Sequence, residues 1–202
     1  LLVDLPDVGA RYYTYPSTTI AVMRSAGQAG KRVIVLDRPN PIGGRIQGNV
    51  LDPAFRTFVG ALAVPMRHGM TLGELARLAI DELDVKVSLT VVPADGWRSD
   101  LDARETGLPF LPPSPNLQSV ESLFHYPGTC LFEGTALSVG RGTDAGYRQI
   151  GAPWLDTAAV LRIIRRVNPP GGRFESVTFT PINPGDDKFP NEEVAGIRLV
   201  LT

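Results

Sequence analysis

The hydrophobic pattern of the first 36 residues predicts a strand, a helix and a second strand. Residues 1–5 form a short apolar run, and residues 32–36 are β-branched and almost entirely apolar, as in a strand buried on both faces. Between them, a helix is predicted that Ser17 caps and that runs to about Ala29, where Gly30 stops it. Strand, helix and strand at this spacing predict a βαβ unit with parallel strands.

A second helix and strand follow the same pattern. Thr71 and Glu74 have the spacing of a capping box at a helix N-terminus, where each side chain accepts a hydrogen bond from an unpaired backbone N–H. The next residues place leucine and alanine on one helical face, and residues 86–92 have the composition of a strand. The first half of the chain is therefore predicted to be a Rossmann-like α/β domain with a partial parallel sheet.

The second half of the chain differs from the first in composition and in its predicted secondary structure. Residues 93–115 are rich in Pro, Asp, Gly and Arg without periodicity, so we place a domain boundary there, with an N-terminal domain at 1–97 and a smaller α+β domain at 98–202. A helix is predicted over 156–167 and a strand over 174–180. Because strand patterns open and close the sequence, we expect a fragment truncated at both ends, with the first strands of the Rossmann-like domain missing.

The composition and motif content of the chain argue against several functional classes. The 202 residues carry a net charge of −1, which argues against a broad nucleic-acid-binding face. No apolar run approaches the roughly 20 residues of a membrane span. With two histidines, one cysteine and no HxxxH or CxxC spacing, a metal site has little support. A dinucleotide fingerprint and a P-loop are also absent.

Candidate chemistry concentrates in residues 126–135 and 140–143. These stretches set a carboxylate, Glu133, and a guanidinium, Arg141, among glycines and small hydroxyl residues such as Thr143. Glycines let the backbone approach a ligand closely, so we interpret both stretches as binding or catalytic loops rather than regular secondary structure. Cys130 is interpreted as a small buried residue in preference to a thiol nucleophile.

Two further clusters follow the predicted strand ends, where ligands of open α/β sheets bind. Asp7 precedes a group of tyrosines, which indicates either a self-satisfied loop or a sugar site in which aromatic faces stack on the ring. Asp37, Arg38 and Asn40 form a proline-stiffened loop that favours a binding role, and the guanidinium of Arg38 matches a ligand carboxylate.

Two polar segments remain. Arg67 and His68 precede the capped helix, where an anion site and a packing histidine are equally good interpretations. Ser114 and Asn116 lie in a proline-rich segment that can serve as a hinge or as the wall of a cleft, and we name both, with Thr143, as candidate substrate-binding residues.

Seven of these blocks, in this order, resemble the NamZ-type exo-β-N-acetylmuramidase family of bacteria. The resemblance covers most of the chain. The blocks are DVGARYYTY at 7–15, LDRPNPIGG at 36–44, RHGMTLGELA at 67–76, SPN at 114–116, YPGTCLFEGT at 126–135, GRGT at 140–143 and GAPW at 151–154.

The resemblance implies a glycoside hydrolase that releases terminal N-acetylmuramic acid (MurNAc) from the non-reducing end of peptidoglycan fragments such as MurNAc–GlcNAc. It also implies a cofactor-free enzyme that acts in the cell envelope or outside the cell. MurNAc carries a lactyl carboxylate, which Arg38, Arg67 or Arg141 could bind. Glycosidic cleavage generally uses two carboxyl groups. Glu133 is our first candidate, and Asp7 or Asp37 could supply the second or orient the sugar.

The chain also departs from this family. Relatives usually carry a Pro-Glu-His-Gly segment upstream of the first block, Gln47 stands where many have Glu, and Ala136 stands where Asn is common. These departures favour an alternative, a non-catalytic module that binds cell-wall sugars. An esterase or amidase is a weaker third hypothesis, because no GxSxG nucleophile elbow is present.

Overall fold

The computed structural model describes residues 1–201 and divides into two compact units, one from Leu1 to Pro113 and one that begins at Ser114. The sequence analysis placed the boundary at residue 97. Residues 98–113 group with the first unit because their backbone bonds to the loop after the second strand: Gly44 N–H donates to Ser99 O at 2.7 Å, and Ala103 N–H donates to Pro41 O at 2.9 Å. None of the helices formed by the described residues is long and apolar enough to span a bilayer.

The first unit contains the predicted parallel sheet. Its three strands lie in the order β1-β2-β5, and both pairs are parallel. A separate antiparallel pair, β3-β4, has no counterpart in the sequence analysis. The elements are β1 (Leu2–Val3), α1 (Tyr15–Gln28), β2 (Arg32–Leu36), β3 (Gln47–Val50), a 3₁₀ turn (Pro53–Phe55), β4 (Pro65–Arg67), α2 (Leu72–Glu82) and β5 (Ser88–Val92).

The core of this unit lies between the sheet and both helices. Val33 and Val35 of β2 are fully buried, and Met23 of α1 and Ala79 of α2 belong to the same cluster. The capping box is confirmed, since Thr71 Oγ1 accepts from Glu74 N–H and the Glu74 carboxylate accepts from Thr71 N–H. Sequence periodicity therefore located the two helices that cover the sheet.

The predicted start of α1 is wrong. The helix begins at Tyr15 rather than after a Ser17 cap, and its N-cap residue, Thr14, makes no side-chain capping hydrogen bond. Pro16 explains the earlier start, because proline suits the first helical turn, where its missing N–H costs nothing. Ser17 is buried within the helix instead.

Gly27 of α1 lies close to Lys86, and its substitution tests how tightly these two segments pack. An ideal Cβ on Gly27 would lie 1.8 Å from the carbonyl oxygen of Lys86, so a Gly27→Ala side chain must push helix and loop apart. Alanine gains up to about 1 kcal/mol of helix preference, but overpacking against rigid backbone costs about 1–3 kcal/mol. We expect urea unfolding to show a net loss of about 1–2 kcal/mol. The control is Gly128→Ala in a helix of the second unit, where an added Cβ would have no neighbouring heavy atom within 4 Å. If Gly128→Ala destabilised the protein as much as Gly27→Ala, the packing argument would be contradicted.

The second unit is α+β. Its sheet is antiparallel, with strand order β6-β8-β7. The elements are α3 (Val120–Thr129), a 3₁₀ helix (Cys130–Gly134), β6 (Gln149–Ala152), α4 (Thr157–Val167), β7 (Gly172–Phe179) and β8 (Val194–Leu201). The prediction of a helix near 156–167 is confirmed, with Asp156 as its cap: the carboxylate accepts from Ala159 N–H.

The prediction that residues 126–135 form an irregular loop is wrong. The chain is α-helical as far as Thr129 and continues as a 3₁₀ helix to Gly134. Ser119 starts the helix by accepting from Ser122 N–H, and Pro127 lies inside it. Glu133 therefore extends from a helical segment, which fixes a side chain more precisely than a free loop does.

A buried histidine fastens α3 to the sheet. In His125, Nδ1 lies 2.6 Å from Glu121 O and Nε2 lies 3.0 Å from Leu199 O in β8. Beside this contact, α3, α4 and the sheet line a largely apolar cavity of about 490 Å³. The histidine contact sets the position of α3 and, with it, that of the 3₁₀ helix that carries Glu133.

Candidate active site

Three donors converge on the carboxylate of Glu133. Oε1 accepts from Arg141 Nη1 at 2.8 Å and from the Tyr147 hydroxyl at 2.9 Å, whereas Oε2 accepts from the thiol of Cys130 at 3.3 Å. The Glu133 side chain remains 32% exposed and that of Arg141 25% exposed. The structure therefore joins the two most prominent charged residues of the sequence analysis in one partly accessible site.

Arg141 is held in place by several contacts. Besides the ion pair, its Nη1 donates to the Tyr147 hydroxyl at 2.9 Å, and its Nε donates to Pro184 O at 3.1 Å. Burial opposes the charge, but Tyr147 and Glu133 outweigh it and raise the pKa of Arg141. These contacts engage Nε and Nη1, and Nη2 has no hydrogen-bond partner among residues 1–201.

Tyr147, which donates to Glu133, packs against a second buried tyrosine, Tyr126. The rings of Tyr126 and Tyr147 lie edge to face, with centroids 4.8 Å apart. Burial is the main cause that raises the pKa of each hydroxyl, so both are neutral donors at physiological pH. The sequence analysis missed Tyr147. The available signal was an aromatic residue directly after the glycine-rich stretch 140–146.

Cys130 contributes a thiol rather than a thiolate. Burial and the neighbouring Glu133 raise its pKa to about 12, and its Sγ faces Glu133 Oε2. A nucleophilic cysteine requires the opposite shift, toward an ionised thiol. The raised pKa therefore supports the interpretation of Cys130 as a packing residue over that of a nucleophile, although the residue is half-buried rather than buried.

Thr143 and Asn116 build the loop that carries Arg141. The Thr143 hydroxyl donates to Gly140 O at 2.6 Å and accepts from Gln149 Nε2 at 3.1 Å. Asn116 Oδ1 accepts from Gly142 N–H at 2.9 Å. Both side chains were predicted to bind substrate, and in the structure both stabilise the Arg141 loop. Ser114, the third predicted residue of this group, accepts from Asn116 N–H through Oγ.

Lys188 is a second residue that the sequence analysis missed. Its Nζ donates to Glu133 O at 2.9 Å and to Leu137 O at 3.0 Å, so it bridges the end of the 3₁₀ helix and the segment that follows. A lysine at 188 in a polar loop carries no local sequence signal for this long-range role.

Within the first unit, Asp7 and His68 form a buried pair. His68 Nε2 lies 3.2 Å from Asp7 Oδ2, and their side chains are 1% and 4% exposed respectively. His68 Nδ1 accepts from Met70 N–H, so a neutral ring carries its proton on Nε2, which lies near Asp7 without the alignment of a hydrogen bond. Asp7 Oδ2 also accepts from Gly9 N–H, whereas Oδ1 is buried without a hydrogen-bond partner among residues 1–201.

Asp37 and Asn40 serve the scaffold of this unit. Asp37 accepts from the Thr71 hydroxyl at 2.6 Å and from Gly73 N–H at 2.8 Å, so it joins the end of β2 to the start of α2. Asn40 is 1% exposed, accepts from Ile42 N–H and donates to Met70 O. In this structure the polar side chains of Asp37 and Asn40, whose loop suggested ligand binding, connect secondary-structure elements.

The two arginines of the first unit also have internal acceptors. Arg38 donates through Nε and Nη2 to Asp4 Oδ1 in an exposed ion pair. Arg67 donates to Gln47 Oε1 at 2.9 Å and to Ile42 O. Burial is the main cause that lowers the pKa of Arg67, with Arg45 adding to the effect. Across the part of the chain that the structure describes, no group of three or more His, Cys, Asp or Glu side chains could hold a metal ion.

Comparison with protein-family models gives two matches that together cover nearly the whole chain. The model described as "Exo-beta-N-acetylmuramidase NamZ, N-terminal" matches residues 1–121, and the one described as "Exo-beta-N-acetylmuramidase NamZ, C-terminal" matches residues 124–202. These matches include every candidate residue discussed above.

The chain is also similar in sequence or structure to individual proteins. The chain is 44% identical over 203 residues to the peptidoglycan beta-N-acetylmuramidase NamZ of Bacillus subtilis (strain 168), covering 100% of this chain and 48% of that protein. Two crystal structures of DUF1343 family proteins from Bacteroides fragilis NCTC 9343 match with TM-scores of 0.86 and 0.78, at 30% and 33% identity. The matches cover 99% and 98% of this chain, and 53% and 52% of the solved chains. The chain spans about half the length of these relatives.

Proposed function

Since the chain belongs to the NamZ family of exo-β-N-acetylmuramidases, we propose that it is a glycosidase that releases terminal MurNAc from the non-reducing end of peptidoglycan fragments. The observation that carries this proposal is the 44% identity to the Bacillus subtilis enzyme, which extends over the full chain. We also propose that the reaction uses no cofactor and that the protein acts in the cell envelope or outside the cell, where peptidoglycan fragments occur.

The contacts of Glu133 support a role in catalysis. Glycosidic cleavage requires a carboxyl group that exchanges a proton with the substrate or with water, or that attacks the anomeric carbon. Glu133 is partly exposed, and the guanidinium and hydroxyl on its Oε1 orient it. We assign Glu133 as the first carboxyl group of the reaction. Asp7 stays a sequence-based prediction for the second.

Arg141 suits recognition of the acidic substituent of MurNAc. The lactyl group supplies a planar carboxylate, and a guanidinium matches that shape. Nη2 of Arg141 is free of the contacts that hold Nε and Nη1, and Glu133 lies beside it. Of the three arginines named from the sequence, Arg141 is thus adjacent to the proposed catalytic carboxylate, and we propose it as the lactyl-binding group.

The test is release of free MurNAc by the purified chain. We expect the chain to hydrolyse MurNAc–GlcNAc and to leave GlcNAc–GlcNAc intact, because the second disaccharide lacks the lactyl carboxylate. Chromatography of the products with mass detection distinguishes the two sugars. Absence of free MurNAc across a range of pH would refute the hydrolase proposal for this chain.

A second candidate function is a non-catalytic module that binds cell-wall sugars. The observation in its favour is Gln47, which stands where many family members have a carboxylate and which accepts from Arg67 in this structure. Calorimetric titration with MurNAc–GlcNAc separates the two functions: heat of binding without product formation supports the module, and turnover excludes it.

A further inference from the structure

A buried tyrosine in a strained backbone conformation faces the carboxylate of Glu133. Tyr147 is 3% exposed and has φ = 62°, in the left-handed region that costs a bulky side chain free energy. Its N–H donates to Val139 O at 2.7 Å, a contact that helps to hold this conformation. Strained residues of this kind are concentrated at functional sites, so the role of the Tyr147 hydroxyl is of interest.

The two oxygens of Glu133 have different surroundings. Oε1 accepts from both Arg141 and Tyr147, whereas the one partner of Oε2 among residues 1–201 is the thiol of Cys130, a weak donor, at 3.3 Å. Two donors already occupy the lone-pair directions of Oε1. A proton that Glu133 exchanges with a ligand therefore has to move through Oε2.

We propose that Tyr147 is a positioning residue that, together with Arg141, fixes Oε1 of Glu133 and so reserves Oε2 as the reactive oxygen of the carboxyl group. This inference rests on the proposed glycosidase function of Glu133. Tyr147 touches the carboxylate rather than the substrate, and its effect on the reaction is exerted through Glu133.

The proton balance of the step is simple. If Glu133 acts as the acid, Oε2 gives its proton to the glycosidic oxygen while the bond between that oxygen and the anomeric carbon breaks. The bonding electrons remain on the oxygen, and the oxygen of a water molecule or of a second carboxylate bonds to the anomeric carbon in its place. If it acts as the base, Oε2 takes a proton from the water whose oxygen bonds to the anomeric carbon. Tyr147 keeps its proton in both cases, because burial, the largest cause, raises the pKa of its hydroxyl.

The test is the substitution Tyr147→Phe, which removes the hydroxyl and keeps the ring that packs on Tyr126. We expect kcat for MurNAc release to fall roughly 10- to 100-fold, the size of effect that a misplaced catalytic group produces, with KM nearly unchanged.

The matched control is Tyr126→Phe. It removes a buried hydroxyl from the same ring pair, but that hydroxyl interacts with Cys130. We expect similar melting temperatures for the two variants and a loss of kcat in Tyr147→Phe alone.

A second measurement does not depend on turnover. In a crystal structure of the Tyr147→Phe chain, we expect the Glu133 carboxylate to occupy more than one rotamer, whereas Tyr126→Phe retains the single one. Equal kcat in both variants, or an unchanged Glu133 rotamer in Tyr147→Phe, would overturn the positioning role. If the unmodified chain releases no MurNAc, the proposed function fails instead, and the rotamer of Glu133 alone decides whether Tyr147 positions it.

Discussion

Substituting Glu133 by glutamine is expected to lower the rate of MurNAc release by roughly 10²- to 10⁴-fold, the contribution typical of a general acid or base. The amide keeps an oxygen that can accept from Arg141 and from Tyr147, so the site retains its shape. It cannot, however, exchange a proton through the position of Oε2. Steady-state kinetics with MurNAc–GlcNAc measure the effect, and it should fall on kcat.

The control for this substitution is Glu193→Gln, the same chemical change at an exposed position of the same unit. It should leave both kcat and the melting temperature unchanged. An active Glu133→Gln variant would remove Glu133 from the proposed mechanism and leave its ion pair with Arg141 as a structural contact.

Replacing Asp37 by alanine is expected to cost stability rather than substrate affinity. The change removes the acceptor for the Gly73 N–H and for the Thr71 hydroxyl, and Thr71 is 2% exposed. Loss of a helix cap costs about 0.5–2 kcal/mol, and a buried donor left without an acceptor costs about 1–3 kcal/mol. We therefore expect the free energy of unfolding to fall by about 2–3 kcal/mol in urea titrations.

Asp95→Ala provides the comparison, because Asp95 is an exposed aspartate in a loop of the same unit. Its effect on stability should be negligible. If Asp37→Ala instead raised KM with no loss of stability, Asp37 would be a ligand-binding residue, as its position after a strand suggested, and the cap would be of minor importance.

The features predicted correctly from sequence have local causes. The capping box at Thr71 and Glu74 follows from two side chains three residues apart, and the apolar run of β2 follows from composition alone. The helix predicted over 156–167 has the same local origin, and the structure adds that the Asp156 carboxylate caps it. The family resemblance also came from short blocks of sequence, and the two domain models confirm it.

The features that were missed depend on long-range contacts. Helix α3 was hidden because Pro127 and Gly128, which usually end helices, lie within it, and contacts such as that between His125 and β8 fix it in place. Asp37 lies in a loop with the composition of a binding site, yet its partner Thr71 is 34 residues away. The sequence around Tyr147 likewise gives no sign that its hydroxyl meets Glu133, 14 residues earlier in the chain.

The protonated state of Cys130 determines how the site responds to oxidising and reducing conditions. Oxidants and alkylating agents react with the thiolate, and a thiol whose pKa is about 12 supplies almost none at neutral pH. The only sulfhydryl of the chain is thereby protected next to the carboxylate on which the proposed chemistry depends. Neither a reducing nor an oxidising environment should alter this site, so its chemistry does not restrict the protein to one redox compartment.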